Sequence, residues 1–348
     1  MILAFSVWIA TILYKSKRVF PFFNHDFLNH DTTNCVNGIF ILLVFMSHFN
    51  SYVQYTVQSD LWYARLVGIV GQLMVTTFLF YSGYGIMESI KLKGVIYILN
   101  IPKKRFLGTL YKFIIAVNFF ALAAHYEFPL KTLLLSFVTW TSIGNSNWYI
   151  FAILMCYLSV FVSFTVFGNN HTKGCLGVLL LSIVYLFTIY ECRKEQHWWY
   201  DTILCFPTGM FVSLYKDKLI ALFQNKLKTV FLLGGGIGLY LATKNLLLQY
   251  HILSNLNIWI FHNVFYIFAV LLIVFITTIA RIKNDILEWF GTHLFGFYIL
   301  QRLPMICLKK AGFDKDIYLF FLLCFIISVV LAHGFSKLTG HLDRTLGL

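Results

Sequence analysis

His48 is the residue whose type and setting most invite chemistry. It sits in Asn34–Tyr55, NCVNGIFILLVFMSHFNSYVQY, a hydrophobic stretch long enough for a membrane-crossing helix. A bilayer interior has no water to solvate an ionisable side chain, so such a group inside an apolar span is a functional hypothesis by default. A neutral imidazole can take the proton from an attacking hydroxyl, or can itself accept an acyl group as nucleophile. The same ring would serve equally as a packing histidine hydrogen-bonded to a neighbouring helix, and the sequence leaves both readings open. Asn37 lies eleven residues earlier, three turns and roughly 16 Å down the same helix face. Asn34, Ser51, Tyr52 and Tyr55 fall near that face, giving a polar stripe that should meet other helices or a cavity, not lipid.

Further candidates lie along the chain. VTTFLFYSGYGIMES (75–89) carries Ser82, Gly83, Tyr84 and Gly85, small residues that let another backbone approach. Running antiparallel to the first helix, it places Ser82–Gly85 near the level of Asn37, with Gln72 and Met74 nearer His48. Glu88 is expected to snorkel to the interface. Lys103, Lys104 and Arg105 form a basic cluster. It suffices to set topology, and it also suits the phosphates of a polyanionic donor. His125, Glu127, Asn145, Asn147, Trp148, Glu191, Glu195, His197, Trp198, Trp199, Tyr200 and Asp201 collect at the opposite level. Aromatics there commonly form an interfacial belt, and mixed with amides and carboxylates they also suit a pyranose. His125 or Glu127 could orient His48. Arg302, beside Gln301 and some turns from His293, needs a carbonyl or anionic partner or must snorkel. His25, Asp26, His30 and Asp31 are read as a solvated linker, with no metal assigned.

The elements that must hold these groups follow from composition. Hydrophobic residues make up 59% of the 348, aromatics 19% and charged residues only 12%, which is the profile of an all-α, polytopic transmembrane bundle. The net charge of +13 does not mean nucleic acid, because the basic residues sit in short loops beside apolar runs. The seven cysteines lie mostly within those runs without metal-ligand spacing, and no disulfide framework is expected. Spans are predicted at 35–54, 66–90, 106–125, 148–167, 175–190, 201–215, 229–248, 256–280, 287–307 and 317–335, about ten core helices. Residues 130–142 form an extra apolar piece, re-entrant or interfacial. Residues 1–14 are a short apolar segment followed by Lys15, Lys17 and Arg18, the reverse of a cleaved leader. Residues 1–30 are thus an apolar segment with its connector, and 31–348 the transmembrane domain. With Lys15–Arg18 in the cytoplasm, roughly 17 basic residues fall inside against roughly 8 outside. The C-terminus is then cytoplasmic, His48 lies in the outer half of the membrane, and the setting is a cell membrane crossed many times. No loop is long enough for a soluble catalytic domain.

Together these segments resemble the acyltransferase-3 family of integral membrane acyltransferases, over roughly residues 31–340. NGIFILLVFMSH places His48 where that family has its histidine. FLFYSGYGIM, PKKRFLGTLYKF (102–113), NWYIFAILMCYL (147–158) and FGTHLFGFYILQRLP are similar to its following motifs, in order. This chain has Asn37 where the family usually has Arg or Lys; an amide can hydrogen-bond but cannot neutralise a phosphate or carboxylate. The resemblance implies a transferase of groups other than aminoacyl groups. It would move an acyl group, acetyl foremost, from acyl-coenzyme A to a hydroxyl of an envelope carbohydrate or glycolipid. No tightly bound cofactor is implied. His48 would be the catalytic residue, Lys103, Lys104 and Arg105 would hold the donor, and Asn37, Ser82, Tyr84 and Trp148 would touch substrate. The rival expectation is a transporter or flippase for a lipid-linked glycan, without covalent chemistry. An inactive relative is a third, motivated by Asn37.

Overall fold

The computed structural model describes residues 1–19, 23–124, 128–194, 196–249 and 255–347, apart from the side chains of 124, 243–249 and 255–259. It is about 82% helical. In chain order the helices are α1 (Ile2–Leu13), α2 (His30–Asn50), α3 (Gln58–Val70), α4 (Leu73–Asn100), a π-helix (Ile101–Leu107), α5 (Gly108–Ala124), α6 (Leu130–Phe137), α7 (Trp148–Phe167), α8 (His171–Cys192), α9 (Cys205–Leu214), α10 (Lys216–Gln224), α11 (Lys226–Gln249), α12 (Asn255–Ile279), α13 (Asp285–Thr292), α14 (Leu294–Leu300), α15 (Arg302–Lys310) and α16 (Ile317–Leu346). Two-residue strands β1 (Lys17–Arg18) and β2 (Ala280–Arg281) pair antiparallel and tie the N-terminal connector to the end of α12.

Six helical segments among the described residues are long and apolar enough to cross a membrane: His30–Asn50, Gln58–Ala123, Trp148–Phe167, His171–Cys192, Ile260–Ile279 and Ile317–Leu346. Their burial differs, and the difference locates the centre. The apolar window of α2 is 72% buried, whereas that of α16 is 22% and that of α8 28%. Side chains such as Ile69, Leu92, Leu227 and Phe231 stand out from the bundle, as lipid-facing residues must when the solvent is hydrocarbon. The α2 helix is therefore the most buried of these spans, and α1, α3, α4 and α13–α15 pack on it.

Its packing is set by glycine. A Cβ on Gly38 would lie 2.0 Å from the backbone carbonyl oxygen of Leu287, and one on Gly291 would lie 2.0 Å from that of Asn34. The α2 and α13 backbones are thus in mutual contact, which only a missing side chain permits. The same exchange joins α4 to α9: Gly83 faces the carbonyl of Phe206, and Gly209 faces that of Phe80. Gly85 has open space instead, so of the two glycines in the SGYG segment only Gly83 makes the close approach.

Several expected spans take a different form. The 287–307 segment is not one helix; it is broken into α13, α14 and α15 at His293 and Gln301. Pro304 offers no N–H and its ring crowds the carbonyl four residues back, at Leu300, where α14 stops. The 201–215 segment yields only the ten-residue α9, about 15 Å long and too short to cross a hydrocarbon core of roughly 30 Å. The 66–90 segment is divided at Gly71, whose φ of +40° ends α3. The 130–142 piece forms the eight-residue α6. Lys112, predicted inside a span, pairs with Asp343 at 2.7 Å, and Tyr111 donates to the same carboxylate, pinning α5 to α16.

Candidate active site

Three cavities distribute the candidate residues, two of them at opposite ends of α2. The largest, 730 Å³, is lined by Ser47, His48 and Ser51 from the end of that helix. The second, 490 Å³, is lined by His30, Asn34 and Asn37 from its beginning. The third, 370 Å³, lies between the start of α5 and α16.

His48 occupies the last turn of α2. The helix starts at Asn29, whose side chain accepts from the backbone N–H of Thr32 at 2.8 Å, and closes where the N–H of Ser51 returns to the carbonyl of His48 at 3.0 Å. The end of the helix thus carries the imidazole into the large cavity. Its Nδ1 is buried without a hydrogen-bond partner. The ring lies 6.2 Å from that of Tyr298, and the guanidinium of Arg302 is close enough for its charge to act on it. Among the described residues no aspartate or glutamate lines this cavity. Among the described residues His48 thus has no carboxylate to orient it, and its Nδ1 is not committed to a hydrogen bond. The suggested orienting residues His125 and Glu127, like Glu195, lie outside the described residues.

Among the described residues Arg302 finds no carboxylate, and it does not snorkel away. As the first residue of α15 it points back to the loop after α2: its Nε donates to the Tyr52 hydroxyl at 3.0 Å, and its guanidinium lies 5.7 Å from the centre of that ring. Lys309 adds a bond from its Nζ to the carbonyl of Tyr52 at 2.6 Å. Arg302 directly follows the break at Gln301 and lines the His48 cavity.

A second arginine lines the same cavity. Arg193, the residue after α8, lies against two indoles, 4.2 Å from the centre of Trp140 and 4.1 Å from that of Trp199. It donates to Gln196 Oε1 at 2.9 Å and to the carbonyl of Trp140, while its Nε is buried and unpartnered. The loop 138–147 is held by its own amides. Asn147 Nδ2 donates to the carbonyl of Thr139 at 2.8 Å, and Asn145 Oδ1 accepts from the N–H of Ile143 at 3.0 Å. Much of the polar capacity of these two asparagines is therefore spent on the loop, although Asn145 Nδ2 remains buried and unpartnered. Trp148, expected to touch substrate, lines this cavity together with Trp198 and Trp199. His197 and Asp201 do not line it; they pair at 3.1 Å behind the tryptophans, and burial pushes the Asp201 carboxyl up to about 6 against the opposing pull of His197.

Asn37, Ser82 and Tyr84 come together in the second cavity, as their levels on antiparallel helices predict. Asn37 Oδ1 is buried without a partner. Ser82 approaches the Tyr157 hydroxyl at 3.4 Å. Glu88 lines the same cavity and does not simply snorkel: its Oε1 accepts from Lys91 at 2.5 Å and from the Ser213 hydroxyl at 2.7 Å. An aromatic layer separates this cavity from that of His48. Phe78 and Tyr149 line the Asn37 side and Tyr298 the His48 side. Their rings adjoin, with centroids 6.0 Å apart for Phe78–Tyr149 and 5.4 Å for Tyr149–Tyr298.

The basic cluster lies on the π-helix. Lys104 and Arg105 line the third cavity, whereas Lys103 is exposed and lines none of the three. Arg105 Nε donates to the Tyr97 hydroxyl at 3.1 Å, and its charge acts on Tyr157, the partner of Ser82. The cluster therefore adjoins the Asn37 cavity through two tyrosines and does not enter the His48 cavity. Arg193, Trp140, Tyr149 and Tyr298 do not stand out in the sequence, because a tyrosine in an apolar run, or an arginine after one, is ordinary there. Their signal was the clustering of Trp and amide residues at the same predicted level as His48. No family model, curated protein or solved structure matches this chain.

Proposed function

We propose that this protein is a membrane O-acyltransferase moving an acyl group, acetyl foremost, from acyl-coenzyme A to a hydroxyl of an envelope carbohydrate. The observation that carries the reading is the position of His48. Its imidazole lines a 730 Å³ cavity together with tryptophans, serines and amides, its Nδ1 has no hydrogen-bond partner, and the adjoining rings of Tyr298 and Tyr149 line that cavity and the polar one at Asn37 respectively. In this reading the acceptor occupies the His48 cavity and the thioester arrives from the Asn37 end. The acceptor oxygen forms a bond to the acyl carbon as its proton passes to His48, and the carbon–sulfur bond breaks to release the coenzyme thiol. In the two-step variant His48 forms the acyl bond first and the hydroxyl then displaces it. Lys103, Lys104 and Arg105 hold the donor's phosphates at the cytoplasmic face, and Asn37, Ser82 and Tyr84 line its path. The accompanying topology is a multi-pass cell-membrane protein of about ten core helices with a cytoplasmic C-terminus.

Mass spectrometry of envelope polysaccharide tests this. A deletion strain is expected to lose an acyl mass that the parent gene restores and the His48→Ala gene does not; full acylation with His48→Ala would refute the assignment.

One observation favours a second reading, a glycan transporter. The broken run α13–α15 beside the His48 cavity is the kind of interrupted helix that lines transport sites. That reading expects glycan to cross proteoliposome membranes without consumption of acyl-coenzyme A.

A further inference from the structure

The His48 cavity carries two arginines and, among the described residues, no acidic side chain. Neither Arg193 nor Arg302 forms an ion pair with a described carboxylate. A guanidinium in a partly apolar setting needs a counter-charge or dense hydrogen bonding, or it loses solvation without return. Arg302 obtains one phenol oxygen through Nε. Arg193 obtains one amide oxygen and one carbonyl, and its Nε is buried with no acceptor at all. Both guanidiniums therefore retain donor capacity beside the same 730 Å³ space.

Arg193 is moreover held in place. Trp140 and Trp199 cover it from two sides, their ring centres 5.8 Å apart and their planes inclined at 63°. Cation–π contact of this kind fixes the orientation of the planar guanidinium, so less entropy is lost when it binds a planar anion. It also occupies those two indoles, leaving Trp148 and Trp198 as the cavity tryptophans available to stack on a sugar.

We infer that the ligand of this cavity is an anionic saccharide, one bearing a carboxylate or a phosphate group that Arg193 and Arg302 recognise while Trp148 and Trp198 cover its ring. The inference rests on the reading of this cavity as the acceptor site and specifies the acceptor's charge class.

Binding to the purified full chain in detergent, without acyl donor, tests it. Three probes are compared: a tetragalacturonate, a phosphodiester-linked glucose oligomer and a neutral glucose tetramer. At least one anionic probe is expected to bind about tenfold or more tightly than the neutral one, with the margin shrinking as salt is raised. Whether the carboxylate or the phosphate probe binds better identifies the source of the charge. Arg302→Gln and Arg193→Gln are each expected to weaken the anionic probe about fivefold or more and to leave the neutral one unchanged, and Arg302→Lys to retain part of the preference. Because loss of Arg193 could loosen its tryptophan cradle, the Arg302 variants and the salt dependence of the unaltered protein each decide alone. Equal affinity for neutral and anionic probes, or no binding of either, overturns the inference. Anionic preference without any acyl transfer would remove the transferase reading and keep this one; acylation of neutral glycan alone would do the reverse.

Discussion

Tyr149 and Tyr298 meet edge to face, ring centroids 5.4 Å apart and planes inclined at 67°, and each lines a different cavity. Both are buried, so the two rings form a wall between the Asn37 end of α2 and the His48 end. Removing one ring should join the two spaces. Tyr149→Ala is expected to raise acyl-coenzyme A hydrolysis in the absence of acceptor, because water gains access to the thioester. Thiol release measured without glycan checks this; a rate equal to that of the parent would mean the wall does not separate donor from acceptor.

His48 makes no hydrogen bond through Nδ1, so its loss should cost activity and little stability. His48→Ala should lower transfer about 10²–10⁴-fold, the range for a positioned acid–base group. Its thermal midpoint in detergent should stay near that of the parent. A large fall in midpoint would assign the ring to packing.

Asn37→Arg would place a guanidinium in the 490 Å³ cavity where an amide oxygen is now buried and unpartnered. If donor phosphates or the thioester pass there, KM for acyl-coenzyme A should fall while kcat changes little. Steady-state kinetics over a donor series reads both, and an unchanged KM would detach Asn37 from the donor path.

Helix contact at α2 and α13 depends on Gly38. Its added Cβ would sit 2.0 Å from the Leu287 carbonyl oxygen, whereas one on Gly85 would meet nothing within 4 Å. Gly38→Ala should therefore destabilise by about 1–3 kcal/mol or more, as overpacking does. Gly85→Ala should be close to neutral. Thermal unfolding of the two variants side by side is the measurement.

The loop before α9 should respond to pH through Asp201. Burial raises its carboxyl to about 6 from the ordinary 3.8, so the folded state holds the proton more tightly than the unfolded state. Stability from this group is complete below about pH 4, declines as pH rises toward 6, and above that carries a constant cost of about 3 kcal/mol. Acidifying from pH 7.5 to 5 should recover on the order of 1 kcal/mol, and Asp201→Asn should remove that dependence. Thermal midpoints at both pH values check the sign.

The apolar runs determine by themselves that the chain is a helical membrane bundle, because a backbone in hydrocarbon must satisfy its own hydrogen bonds. Periodicity along one helix likewise determines that Asn37 and His48 share a face about 16 Å apart. Antiparallel register then brings Ser82 and Tyr84 to Asn37, and the cavity at those three residues bears this out. The tertiary structure decided what periodicity cannot encode. Breaks at His293 and Gln301 turn the 287–307 run into three short helices, and Arg302, directly after the second, lines the His48 cavity. The two tryptophans that hold Arg193 are 59 residues apart in the chain and meet only when α8 folds back beside the 138–147 loop. Lys104 and Arg105 line one cavity and His48 another; which helices face one another depends on contacts such as those of Gly38 and Gly83 with opposing backbones, not on the local sequence.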